Sequence, residues 1–163
     1  MSVAVRWLDR IAAVPAADWD ALRGNYHPFV AHAFLDALEQ SGSLRRDLGW
    51  RAEHLTLWRD SVLVAAAPAY RKANSHGEFV FDFAIADAYE RSLGDYYPKR
   101  LVAVPYSPVT GPRLLARSAD DRRDDHLPCG DGEWVGGNLV LLQVDRACGP
   151  ADRRAPHVHV AEP

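Results

Sequence analysis

"EHLTLWRDSVLVAAAPAYRK", residues 53–72, decides how this chain folds. The first arm, "EHLTLWRD", alternates with the period of two that a half-buried strand requires. Arg59-Asp60-Ser61 is a turn-like break, and "VLVAAAPAYRK" runs back as the second arm of a hairpin. Pro68 has no N–H to give to a ladder, so its position in the second arm predicts an edge or a bulge.

Outward from the hairpin, "VAVRWLD" (3–9) reads as an opening strand. Pro15 and Asp18 start a helix, Trp19 and Leu22 lie one turn apart, and Gly24-Asn25 stops it. In "FVAHAFLDALEQSG" (29–42) Val30, Phe34, Ala37 and Leu38 share a helical face, closed by Ser41-Gly42. His32 on this helix is read as a structural or solvated histidine, not a metal ligand. After the hairpin, "DFAIADAYERSLG" (82–94) is helix-like and "RLVAVPY" (100–106) strand-like. The order β, α, α, β, β, α, β predicts an α/β or α+β domain built on a mixed sheet.

A chain of 163 residues is long enough to bury one core. Its formal charge of −3 and its scattered basic residues give no pull toward nucleic acid. No stretch approaches the ~20 apolar residues of a membrane span, and the N-terminus lacks the apolar run of a signal peptide. The expected location is the cytoplasm. Arg outnumbers Lys heavily; Lys72 and Lys99 are the only lysines, a bias read as codon usage.

The texture changes after Leu115. Every aromatic residue but Trp134 lies before position 107, and only "NLVLLQVD" (138–145) can form a strand. With so little apolar surface to offset the entropy of ordering, 116–163 reads as an irregular tail, either a flexible extension or the product of a truncated or shifted reading frame. His126, Cys129, Cys148, His157 and His159 fit no zinc-site spacing, and neither cysteine stands in a Cys-x-x-Cys pair. No metal is expected.

The chemistry-bearing stretch is "HGEFVFDFAIADAYERSLGDYYPKRLVAVPYSPVTGPRLL", residues 76–115, dense in aromatics and carboxylates. Alternation puts Glu78, Val80 and Asp82 on one face and Phe79 and Phe81 on the other. Asp87, Tyr89 and Glu90 follow in the helix. Carboxylates beside aromatics need partners if buried, and His76, Lys99 and Arg113 are at hand. Two readings stand: a salt-linked, partly exposed wall, or a site whose carboxylates serve as general bases.

Together with "HPFVAHAFLDALEQSGS" (27–43) and "GWRAEHLTLWRD" (49–60), this stretch resembles the N-terminal half of bacterial predicted N-acyltransferases. That family belongs to the GNAT-like acyl-CoA N-acyltransferase superfamily and is linked to peptidoglycan biosynthesis through the Fem-type transferases. The resemblance spans about residues 25–115 and implies a GNAT-like lobe over 1–115, one of two in longer members. The family assigns no catalytic residue to these motif positions; read as a site, the stretch offers Glu78, Asp82 and Asp87 as catalytic candidates and His76, Tyr89, Tyr97, Lys99 and Thr110 as candidate substrate contacts. The resemblance implies an acyl-CoA or acetyl-CoA donor and a small-molecule or peptide amine as acceptor. A lobe that normally packs on another is expected to self-associate through an exposed face. The family's Gly-rich pyrophosphate loop has no counterpart here: "GDGEWVGG" (130–137) follows no convincing strand. The alternative reading is therefore a non-catalytic fragment or interaction lobe.

Overall fold

The computed structural model describes residues 2–24, 27–78, 82–122 and 142–144. The hairpin forms, and each arm is broken once. The first arm becomes β2 (Trp50–Ala52) and β3 (His54–Arg59), and the second becomes β4 (Val62–Ala67) and β5 (Ala69–Lys72). Asp60 and Ser61 turn the chain with φ of 48° and 68°, the paired positive values that match the twist of flanking strands. The Asp60 N–H donates to the Ser2 carbonyl at 2.9 Å, and its Oδ1 accepts from the Ser2 N–H at 2.7 Å.

The two breaks face each other and divide the ladder between two sheets. β3 and β4 lie with β1 (Val3–Leu8) and, later in the chain, β7 (Leu115–Ala116) in the order β1-β3-β4-β7. β2 and β5 lie with β6 (Lys99–Val102) and β8 (Leu142–Val144) in the order β2-β5-β6-β8. At the crossing, Glu53 N–H donates to Ala69 O at 2.9 Å, and Ala103 N–H reaches Pro68 O at 3.2 Å. Pro68 sits where no ladder donor is needed. The Ala69 N–H, which would be stranded at the kink, donates to Nδ1 of His54 at 3.3 Å.

The class is α+β, as the element order predicts. All described pairings are antiparallel, so two antiparallel sheets stand where a single mixed sheet was expected. The cause is the double break at Glu53 and Pro68, which sends the two ends of one hairpin into different ladders. The strand expected over 100–106 stops at Val102, ahead of the turn at Pro105 and Tyr106.

Helices α1 (Ala16–Arg23) and α2 (His32–Gln40) bury their apolar stripes on the β1-β3-β4-β7 sheet. Ile11, Val14, Trp19, Leu22, Val30 and Leu35 meet Leu63, Ala66 and Leu115 there. Leu55, Leu57, Val64, Ala65 and Ala67 pack with Val102 and Leu114 in a second cluster. A register shift at Leu57/Trp58 leaves Val64 without a paired residue, a bulge that puts it in the same cluster as Ala65. Polar clamps fix the helices. Glu39 accepts the Ile11 N–H on both oxygens, at 3.1 and 3.0 Å, and His54 Nε2–H on Oε1 at 2.7 Å. His32 Nε2 lies 3.2 and 3.1 Å from the carbonyls of Ile11 and Val14, a structural role.

The chain past Leu115 continues into the fold. Ala116 pairs with Ala65, Arg117 N–H donates to Val64 O at 3.0 Å, and buried Asp121 in α4 (Ala119–Arg122) binds Arg59 at 2.5 Å. Leu115 and Ala116 thus belong to one strand, which lies on either side of the position where the tail was expected to begin. Of "NLVLLQVD", Leu142–Val144 pairs with β6; most of the remaining tail, with its histidines and cysteines, lies outside the described residues. Among the described residues no helix is long and apolar enough to cross a membrane.

Buried Trp19 donates its Nε1–H to the Val30 carbonyl at 2.9 Å, locking α1 to the turn before α2. Trp19→Phe should destabilise the fold by about 1–3 kcal/mol, from the lost bond and the smaller ring. Urea unfolding measures it, and an unchanged midpoint would show that the indole N–H contributes nothing.

Candidate functional site

Trp50, Lys72 and Lys99 stand in one row across β2, β5 and β6, because Trp50 pairs with Lys72 and Lys72 with Lys99. Directly opposed residues point to the same side of a sheet, so the chain's two lysines lie side by side. Both side chains are fully buried. Two adjacent ammonium groups in a dry interior need anions between them, and the turn after β5 and the start of α3 (Phe83–Leu93) supply them.

Lys99 is saturated. Its three N–H groups reach Asp82 Oδ2 at 2.5 Å, Glu78 Oε2 at 2.7 Å and Ser75 Oγ at 3.1 Å. Ser75 donates its single proton to Asp82 Oδ1, so Tyr97, 2.5 Å away, donates to Ser75. Tyr96 O–H adds a third donor to Asp82 at 2.8 Å. Lys72 is held differently. It donates to the His76 carbonyl at 3.0 Å and to Asn74 Oδ1 at 3.4 Å, lies 3.7 Å from the centre of the Trp50 ring, and stands 4.0 Å from Glu78 Oε1. Glu78 therefore bridges the lysine pair. Its Oε1 is buried and accepts no hydrogen bond from the described residues.

The two carboxylates share one lysine and move in opposite directions. Burial pushes Asp82 up, but hydrogen bonds from Lys99, Ser75 and Tyr96 outweigh it and leave its pKa below the usual range. Burial also pushes Glu78 up, and there the single bond from Lys99 does not suffice, so its pKa is raised. Of these neighbouring acids, Glu78 therefore holds its proton more tightly than Asp82 does. Burial likewise lowers Lys72 from 10.5 to about 8, against the pull of Glu78 and with the repulsion of Lys99.

The expected residues divide. Glu78, Asp82, Tyr97 and Lys99 meet in the network, and Tyr89 supports it by packing its ring edgewise on Tyr96 at 5.6 Å. Asp87 stands apart, exposed and paired with Arg91 at 2.8 Å one helical turn on, so the three carboxylates do not converge. His76 joins through its backbone while its side chain is exposed. Thr110 is exposed in the loop before β7, with its carbonyl bound by His27. Arg113 binds no carboxylate among the described residues; it turns back on its own loop. Phe79 and Phe81 lie outside the described residues. Lys72, Ser75 and Tyr96 escaped the expected site set. The pairing of the only two lysines on adjacent strands was the available signal.

Each long helix begins at a carboxylate of the chain itself. Asp18 lies in the first turn of α1, Asp20 Oδ1 takes the His32 N–H of α2 at 3.0 Å, and Asp82 precedes α3. A pyrophosphate approaching these helix starts would meet like charge. The described residues contain no cluster of three or more His, Cys, Asp or Glu able to hold a metal.

Among known proteins, the chain matches the model of the FemAB-like family, described as peptidoglycan biosynthesis/recognition, over residues 10–128. No curated protein and no solved structure matches it. The matched span covers strands β2 to β7, leaving out β1 and β8, and it includes the whole lysine–carboxylate network.

Lys72 gives a pH test. Its folded pKa of about 8 lies below its unfolded 10.5, so between those values the unfolded chain binds more protons and stability rises with pH. Below about 8 the burden of the buried ammonium is full. Lys72→Met should lack this rise between pH 8 and 9.5, as read from urea midpoints; parallel profiles for the two proteins would refute the assignment.

Proposed function

Since the chain belongs to the FemAB-like family, we propose that it serves peptidoglycan biosynthesis as an N-acyltransferase lobe, passing an acyl group from an activated donor to an amine. The observation that carries this is Glu78 Oε1, a buried carboxylate oxygen without a hydrogen-bond donor on a side chain of raised proton affinity. An amine must lose a proton as it attacks an acyl carbon. A carboxylate with a vacant lone pair and a proton affinity raised by burial suits that proton transfer. In this reading Lys99 orients Glu78 through Oε2, Lys72 balances the charge on Glu78, and Asp82 anchors Lys99 in place. Contact with an amine requires the turn over Glu78 to open. That turn is held by the Tyr106 N–H on Gly77 O at 3.2 Å and by Lys72 on His76 O.

A second reading, a recognition lobe without turnover, is favoured by the complete burial of the network side chains. Incubating the protein with acetyl-CoA or aminoacyl thioesters and an amine-bearing muropeptide, with mass spectrometry of the products, separates the two. The wild type should acylate the amine, and Glu78→Gln should lower the rate by about 10²-fold or more with its circular dichroism unchanged. Muropeptide binding without product from any donor would overturn the transfer reading and support recognition.

A further inference from the structure

Arg113 is 5 % exposed. Every other buried charged side chain among the described residues has an ion partner there: the two lysines with Glu78 and Asp82, and Asp121 with Arg59. Among the described residues Arg113 meets backbone carbonyls and no anion. Its Nη1–H donates to Gly111 O at 3.0 Å and its Nη2–H to Val109 O, while the buried Nε–H has no partner among them. A guanidinium carries five N–H donors and keeps its charge under all ordinary conditions. Removing an uncompensated charge from water is among the most expensive events in folding. Burial lowers its hold on its proton, and no neighbouring charge opposes that shift.

The loop that leads into Arg113 holds this cation. Pro108, Thr110 and Pro112 are exposed on it, and its carbonyls point inward to the guanidinium. The same loop is braced by His27, whose Nε2–H donates to Thr110 O and whose ring lies so close to Gly111 that a Cβ there would stand 2.4 Å from it. Gly111 sits at φ +135°, so the loop passes His27 only as glycine. His27 Nδ1 is a second buried polar atom without a partner. Two orphaned side-chain nitrogens thus flank one short, glycine-hinged loop.

We propose that the Ser107–Arg113 loop is an oxyanion site in which Arg113, through Nε–H and a neighbouring Nη–H, grips a carboxylate or phosphate group. Two parallel N–H groups match the spacing of two oxygens on such a group, and the two carbonyl bonds hold the fork in place. The site is separate from the Lys99 network and stands whether or not the chain transfers acyl groups.

The test uses the full chain, titrated with inorganic phosphate or sodium acetate against sodium chloride at matched ionic strength. One or both oxyanions should raise the melting midpoint saturably and shift the Arg113 Nε–H resonance, with chloride doing neither; the stronger responder identifies phosphate or carboxylate as the group recognised. Arg113→Met should abolish the midpoint response. Overlaying curves in all three salts, or a response retained by Arg113→Met, overturns the proposal. If that variant does not fold, the wild-type Nε–H resonance decides alone, and its failure to move is fatal to the site.

Discussion

The contact on which this structure most depends is Lys99 Nζ with Asp82 and Glu78. It joins three segments that have little else in common: the first residue of β6, the turn that leaves β5, and the residue before α3. α3 buries only Ala86 and Tyr89 of its described side chains, packing with Tyr96 in a small aromatic cluster. So narrow an apolar stripe is weak attachment for three turns of helix, and the ion network supplies the rest. Buried ion pairs of this sort seldom stabilise more than a well-packed apolar replacement, but removing one partner strands the other charge. The network thus fixes a particular arrangement of turn, helix and strand more than it adds to stability.

The same logic explains why the two carboxylates differ. Asp82 is met by three donors and Glu78 by one, although both lie against one ammonium. Donor count decides the sign, because each charge-assisted bond favours the ionised form while burial opposes it. The asymmetry is built by Ser75 and Tyr96, neither of which carries charge. Ser75 acts as a relay: its one proton goes to Asp82, which obliges Tyr97 to donate and ties the second tyrosine to the cluster. Neutral hydroxyls thereby set the chemistry of the acids.

Much of the backbone was legible because local rules and tertiary packing agree. The hairpin, its turn at Asp60-Ser61, and helices α2 and α3 follow from alternation, helical spacing and terminal breaks. Pro68 was read as an irregularity, and it proved to be one side of a break that splits a ladder; the other side, Glu53, carries no mark a sequence pattern can show. Asp87 illustrates the limit at the site. Its density beside Glu78 and Asp82 suggested convergence, yet Arg91 four residues on was already a surface partner on the same helix face. The break after Leu115 was drawn from composition, which carries no information on backbone pairing, and Leu115 and Ala116 together form the strand beside β4. Lys72 was passed over because lysine scarcity looked like background bias, when scarcity made the two survivors informative.

Why lysine stands at both positions can be argued from shape. Arg dominates the cations of this chain, so an unconstrained site would carry it. Lys72 and Lys99 are opposed across a ladder, where their side chains share a narrow space with Trp50, Glu78 and Tyr96. Two planar guanidinium forks do not fit there, and neither can aim three donors tetrahedrally at Asp82, Glu78 and Ser75. An ammonium can. It is also the only common cation whose proton affinity burial can bring toward the physiological range, as Lys72 shows. The cations are therefore rooted on strands, where register fixes them. Ser75 and Glu78 hang on the adjoining turn and Asp82 on the residue before α3. Two ammonium groups set by strand register thus face carboxylates carried on a turn and a helix start, so the placing of those two segments governs how the buried charges are balanced.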